Sequence, residues 1–309
     1  FSNVKAQYVT IPDPNFYSWL QSHFPLCVNG NQLDTTCSDL FTVEKVDLGG
    51  YSWIGDLTGI AYFKNLDTLY CDNDSLLFLP DLPDGLKVLI CSQNELTSIT
   101  DLPDSLVYLD CHSNNLTSFP PLPASLVELR CYDNPLGSLP ALPASLQKLI
   151  ANSNQLTSLP VLPVSLKWLV CQYNQLSSLP VLPNNLIGLQ CGFNQLTSIP
   201  TLPDSLIHLT CEDNQLTVLP DLPRRLFSLY INNNPNLKCL PPIKWIHSIL
   251  WSQTGITCLP NPITTIHENP SNFTMLPVCE LINVNNCEVG WNIKGEVGLD
   301  TNLNCLIDN

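Results

Sequence analysis

Cationic side chains are scarce in this sequence. Twelve Lys and Arg stand against 27 Asp and Glu, for a formal charge of −15 at pH 7. Nucleic acid and anionic membranes are held by clustered Lys and Arg, so this balance excludes both as expected partners. The one Arg pair, Arg224-Arg225, is too small to reverse it. Charged residues of all kinds are only 13% of the chain, so Asn, Ser, Thr and Gln must supply most of the polar surface. No apolar run reaches the roughly eighteen residues of a membrane-spanning helix, and no membrane insertion is expected. There is no Cys-x-x-Cys pair to hold a structural zinc. A glycine-rich phosphate loop, a nucleophile elbow and an H-E-x-x-H motif are missing as well. The five histidines, His23, His112, His208, His247 and His267, are scattered among different segments. On these grounds the chain is not expected to be an enzyme.

What is present is a repeat with a period of 20 residues. It reads Leu106-x-x-Leu109-x-Cys111-x-x-Asn114-x-Leu116-x-x-Phe119-Pro120-x-Leu122-Pro123, and Leu126 begins it again. Cys71, Cys91, Cys111, Cys131, Cys171, Cys191 and Cys211 share one phase, with Ala151 and Ile231 in the same slot; Asn94 to Asn234 share another. Self-similarity of this length and wording marks a leucine-rich-repeat solenoid. The expected fold is an α/β-type solenoid: an arc of about eleven turns with a parallel concave β-sheet, an extended proline-rich convex side and an N-terminal helical cap. In each strand Leu109 and Cys111 point inward, while Tyr108, Asp110 and His112 point outward. The asparagine closing each strand offers an amide to backbone groups of the adjoining turn. Prolines such as Pro120, Pro123, Pro140 and Pro143 exclude a helix on the return side.

The wording Leu-Pro-x-Leu-Pro-x-Ser-Leu resembles the short bacterial type of leucine-rich repeat, found in secreted effectors of enteric pathogens and in exported Bacteroidetes proteins. Some such effectors carry a ubiquitin ligase with a Cys-x-Asp nucleophile. Cys131-Tyr132-Asp133 and Cys211-Glu212-Asp213 copy the letters, but their cysteines fall in the inward ladder, which argues against catalysis. Ile11-Pro12-Asp13-Pro14-Asn15-Phe16 and Asp56-Leu57-Thr58-Gly59-Ile60 are similar to the opening of Bacteroidetes leucine-rich-repeat proteins exported by the type IX secretion system. That resemblance implies a secreted or outer-surface location and contact with secretion-machinery components. It also brings an O-glycosylation signal, Asp-Ser/Thr followed by an aliphatic residue or Thr, copied at 34–36, 74–76, 104–106 and 204–206.

The ends read differently from the middle. Val4-Lys5-Ala6 fits the end of a secretory cleavage site, so residues 1–6 read as a signal-peptide tail. Residues 7–42 form the N-terminal cap, where Asp13 caps a helix opened by Pro14 and faced by Phe16, Trp19, Leu20 and Phe24. The solenoid spans 43–266, a C-terminal cap and linker 267–290, and 291–309 resembles the start of a truncated β-sandwich module of bacterial surface proteins. Seven of the 14 cysteines belong to the ladder and are expected as reduced core filler. The end cysteines are expected in disulfides: Cys27 with Cys37, Cys239 with Cys258 as the preferred pairing, and Cys279 and Cys287 in the cap. Asp300, Asn302, Asn304 and Asp308 match the first part of a calcium loop, although Cys305 replaces its turn glycine.

The candidate binding surface is aromatic. On or just after the outward strand positions lie Tyr70, Tyr108, Tyr132, Trp168, Tyr173, Phe193 and Tyr230, with Arg130 among them. Aromatics beside Arg make interface hot spots, and aromatic platforms also stack on sugars. The expected function is non-catalytic recognition of a protein or glycan ligand through the concave face. The competing expectation is a spacer domain within a larger exported protein whose activity lies elsewhere.

Overall fold

The computed structural model describes residues 7–49, 53–243 and 246–256. The chain enters through a small cap. β1 (Tyr8–Thr10) and β2 (Val28–Asn29) flank β3 (Gln32–Asp34) in an antiparallel sheet. Between β1 and β2 runs α1 (Pro14–His23), started as its sequence requires. Asp13 Oδ1 accepts from the N–H groups of Asn15 and Phe16 at 2.9 and 2.8 Å, and Pro14 sits in the first turn, where its missing donor costs nothing. Phe16, Trp19 and Leu20 are buried on one stripe. The second oxygen of Asp13 accepts from Gly55 N–H at 2.7 Å, fastening the cap to the first long turn. Cys27 and Cys37 are joined in a disulfide.

Three-residue strands then follow in one 11-stranded sheet whose order is the chain order. They are β4 (Lys45–Asp47), β5 (Thr68–Tyr70), β6 (Val88–Ile90), β7 (Tyr108–Asp110), β8 (Glu128–Arg130), β9 (Lys148–Ile150), β10 (Trp168–Val170), β11 (Gly188–Gln190), β12 (His208–Thr210), β13 (Ser228–Tyr230) and β14 (Ser248–Leu250). The chain forms two compact units, one ending at Leu156 and one beginning at Thr157. Within each, parallel neighbours pair with the register of the repeat: Leu109 lies opposite Leu129 in the first unit and Leu189 opposite Leu209 in the second.

Both units have the same core. Leu109, Cys111 and Leu116 have no solvent exposure, and neither do Leu189, Cys191 and Leu196. Burying one such leucine stabilises by about 1.5–3 kcal/mol over leaving it in water. The seven ladder cysteines are free and buried. Burial pushes their thiols well up, that of Cys171 to about 12, so none is a ready nucleophile.

The polar groups in this core are satisfied by side chains of the following turn. Asn114 Oδ1 accepts from Leu96 N–H at 2.9 Å, and its Nδ2 donates to the carbonyls of Cys91, Cys111 and His112. Asn194 and Asn214 repeat the pattern in the second unit. A second row does similar work at the return turn. Ser105 Oγ donates to the carbonyls of Asp84 and Leu86, and Ser205 to those of Asn184 and Leu186. The glycosylation signals at 34–36, 104–106 and 204–206 thus fall on engaged hydroxyls, and Thr35, which donates to Gln7 O, is only 7% exposed. The return segments carry no α-helix among the described residues, as their prolines demand.

Several expectations lie outside the described residues: the signal-peptide tail, residues 267–290, the β-sandwich start at 291–309, Cys258, Cys279 and Cys287, and the calcium ligands Asp300, Asn302, Asn304 and Asp308. Cys239 is disulfide-bonded, and its pairing with Cys258 falls outside them too.

Candidate functional site

With Leu and Cys drawn inward, positions 108, 110 and 112 of each turn stand on the outward face. In the first unit these positions form a charged network. His112 Nδ1 lies 2.6 Å from Asp110 Oδ1, and the His112 ring stacks on Tyr132 at 4.2 Å, tilted by 8°. Arg130 Nε donates to Glu128 Oε1 at 2.6 Å, its Nη1 lies 4.0 Å from Asp110 Oδ2, and its guanidinium sits 5.5 Å above the Tyr108 ring. Lys148 Nζ reaches Glu128 Oε1 at 3.1 Å. The Tyr108 hydroxyl donates to Asp110 Oδ2 at 3.5 Å, and burial pushes its phenol up to about 12.

Asp110 points outward, yet it is only 5% exposed. Tyr108, His112 and Arg130 wall it in and supply the donors that make its burial tolerable. Farther along the same unit, the Lys45 ammonium lies 4.3 Å from the Tyr70 ring and 3.2 Å from Asp47.

The second unit's face is built on two glycines. A Cβ at Gly188 would lie 2.2 Å from the Trp168 ring, so the indole leans into the space that the missing side chain leaves. The His208 ring stacks beyond it at 5.9 Å, and His208 Nδ1 lies 2.8 Å from Ser228 Oγ. Phe227 and His247 stack at 4.2 Å. At Gly192 the filler comes from the other direction, since a Cβ there would lie 2.7 Å from the Glu212 carboxyl carbon. Glu212 Oε1 accepts from Gln172 Nε2 at 3.1 Å, two turns back. Its Oε2 is buried with no hydrogen-bond partner, as is Thr210 Oγ1 on the preceding strand. Burial is the main cause that raises the Glu212 carboxyl above its ordinary range; Asp213 adds to it, and no cation opposes it.

A third row borders this face. The residue before each repeat asparagine takes a left-handed backbone, with φ of 52° at Ser113 and 53° at Asp133, Tyr173 and Phe193. Asn and Asp suit that conformation, whereas a bulky side chain pays about 1–2 kcal/mol for it. Tyr173 and Phe193 accept this strain on adjacent turns and stack at 4.1 Å and 12°, with Tyr173 51% exposed.

The structure therefore brings Tyr108, Arg130 and Tyr132 together in one network and Tyr173 with Phe193 in one stack. Trp168 joins His208, Tyr230 lies near Ser248 (Oγ to hydroxyl, 3.4 Å), and Tyr70 stands with Lys45. Sequence reasoning did not count Asp110, His112, Gln172, His208 and Glu212 among the binding residues. Gly188 and Gly192 were the signal available, because each empties a slot that neighbouring turns fill with a side chain.

No protein-family model matches the sequence, and no curated protein does. Solved structures do match. YopM from Yersinia enterocolitica WA-314 aligns at 28% identity with a TM-score of 0.56, over 74% of this chain and 60% of that one. YopM from Yersinia pestis, described as a leucine-rich effector protein, aligns at 26% with a TM-score of 0.64, over 79% and 77%. The functional domain of InlJ from Listeria monocytogenes, described as including a cysteine ladder, aligns at 23% with a TM-score of 0.65, over 89% and 66%. The chain thus spans about three fifths of the Y. enterocolitica protein's length, and its fold is that of the leucine-rich-repeat solenoids.

Proposed function

We propose that the chain is a non-catalytic recognition module that binds another protein through the outward faces of its strands. One observation carries this reading. From turn to turn the inward slot stays leucine at 109, 129, 169, 189 and 209, while the adjacent outward slot runs Tyr108, Glu128, Trp168, Gly188 and His208. A scaffold would repeat both; a reading surface repeats only the first. The likeness to an effector protein supports the same reading. The resemblance of Ile11-Pro12-Asp13-Pro14-Asn15-Phe16 and Asp56-Leu57-Thr58-Gly59-Ile60 to exported Bacteroidetes proteins supports a secreted or surface protein carried by the type IX system.

The test is selection from a random peptide-display library on the full chain. Selected peptides should lose at least tenfold in affinity on Tyr132→Ala or Trp168→Ala and be unaffected by Val161→Asp and Val181→Asp, which alter exposed return-side valines. Dependence on the valines instead would place binding on the return side and defeat the reading. Selection of nothing, with binding to an oligosaccharide array, would replace protein by glycan.

A further inference from the structure

Two carboxylates on the first unit's face, Asp110 and Glu128, are met by the chain's own cations, and Glu212 in the second unit is not. Asp110 has His112 and Arg130 beside it, and Glu128 has Arg130 and Lys148. Around Glu212 the outward positions are Trp168, Val170, Gln172, Gly188, Gln190, Gly192, His208, Thr210, Ser228, Tyr230 and Asn232, with no Lys or Arg among them. Its one side-chain donor is the neutral amide of Gln172, and its second oxygen is buried without any partner. A half-desolvated carboxylate with an unmet oxygen is an incomplete ion pair. Beside position 192 stands the Tyr173–Phe193 stack, two aromatic rings held on a strained backbone at the border of the same face.

We propose that this part of the second unit binds a basic segment of a partner protein, with an arginine side chain completing Glu212. The proposal rests on the protein-binding reading above and specifies its partner. A guanidinium fits both halves of the site. Its planar fork donates to the two oxygens of one carboxylate, and its face stacks on aromatic rings. It enters by displacing the Gln172 amide, which sits on a long unbranched stem, and no Cβ at Gly192 pins the carboxylate in place. The formal charge of −15 draws such a partner in from a distance. A lysine would answer the charge but could not stack or fork in the same way.

The experiment is calorimetric titration of the full chain with acetylated hexa-arginine, hexa-lysine and a neutral hexasaccharide at about 0.15 M salt, where surface attraction is largely screened. Hexa-arginine should bind, and hexa-lysine at least fivefold more weakly. Glu212→Gln should weaken hexa-arginine at least tenfold, and Phe193→Asn, which keeps a residue suited to the left-handed backbone, severalfold. Asp221→Asn, removing the same charge from an exposed return-side position, should change it less than twofold. Equal losses in Glu212→Gln and Asp221→Asn would reduce the effect to net charge and overturn the proposal. So would no hexa-arginine binding by the folded chain, or binding of the neutral hexasaccharide with the same dependence on Glu212. If display-selected peptides depend on Trp168 but are not basic, this inference falls and the face-binding reading stands.

Discussion

In the first unit, Asp110 and Glu128 are buried or half-buried on the outward face and are tied into a network of five further side chains from β7, β8, β9 and the positions just after. In the second unit Glu212, in the repeat slot of His112 and Tyr132, leans over a glycine, takes one neutral side-chain donor and leaves one oxygen unmet. The backbone beneath is the same in both, with the same strand length, register and asparagine bonds. The difference therefore comes entirely from which side chains occupy the outward slots. It separates two outward carboxylates that the chain's own cations satisfy from one that they do not, and the second kind is where a ligand gains most.

The comparison assumes equal cores, which gives the largest expected effect. Leu129→Ala and Leu189→Ala should each cost about 2–5 kcal/mol by opening a cavity in the ladder. Denaturant unfolding measures both, and a gap above about 2 kcal/mol between them would mean that the two cores are not alike.

The faces should then part ways. Asp110→Ala strips the His112 ring, Arg130 and the Tyr108 hydroxyl of an acceptor and should destabilise by about 1–3 kcal/mol. Glu212→Gln should leave stability within about 1 kcal/mol, shifted toward the more stable side at pH 7.5, because it removes a desolvated charge. A loss as large as that of Asp110→Ala would show that Glu212 is already satisfied.

The left-handed row sharpens the contrast at smaller scale. Ser113→Asn relieves backbone strain without losing a stack and should stabilise by up to about 1 kcal/mol. Phe193→Asn relieves similar strain but gives up a stack worth about 0.5–1.5 kcal/mol, so the two terms should nearly cancel. Thermal melts of the two variants side by side test this.

The smallest effect is one of pH in the first unit. Burial, with Asp72 and Asp13 nearby, raises the Asp74 carboxyl from 3.8 to about 6, although it accepts from Ile54 N–H. The folded state thus favours the protonated form. That contribution is full below about pH 4 and fades as pH rises through about 6. Because the group is partly exposed, screening holds it to about 1 kcal/mol or less. Asp74→Asn should flatten the stability profile between pH 4 and 7, and an unchanged slope would dismiss the assignment.

The fold was legible because its signals repeat. One Leu-x-x-Leu-x-Cys-x-x-Asn phrase is weak, but its recurrence sets strand phase, the inward leucines and the role of Asn114. The Asp13-Pro14 start of α1 and the Cys27–Cys37 bond were readable from local chemistry. The faces were not legible in the same way. Alternation says that Trp168 and Asp110 point outward, yet it does not say that the indole lies over Gly188 or that three neighbours bury Asp110. Each outcome needs a residue 20 positions away, Gly188 for the indole and Arg130 beside Tyr108 and His112 for Asp110, which is adjacent only after stacking. The left-handed backbone at Tyr173 and Phe193 escaped notice for the opposite reason. The favoured Asn73, Asp133, Asp213 and Asn233 share that slot, but the two aromatics mask the preference.

The serine and asparagine side chains described above all reach back to the turn before their own. Each turn is therefore finished by its successor: Leu96 N–H and the Asp84 and Leu86 carbonyls wait for Asn114 and Ser105. A chain emerging from the ribosome would complete its turns one behind the growing end, leaving a single unfinished turn at the frontier at every stage. Duplication of a 20-residue phrase that carries both the serine and the asparagine would supply and consume the same bonds. Length can thus change in steps of one turn, each step sliding one set of outward residues past the next and composing a new face on an old core.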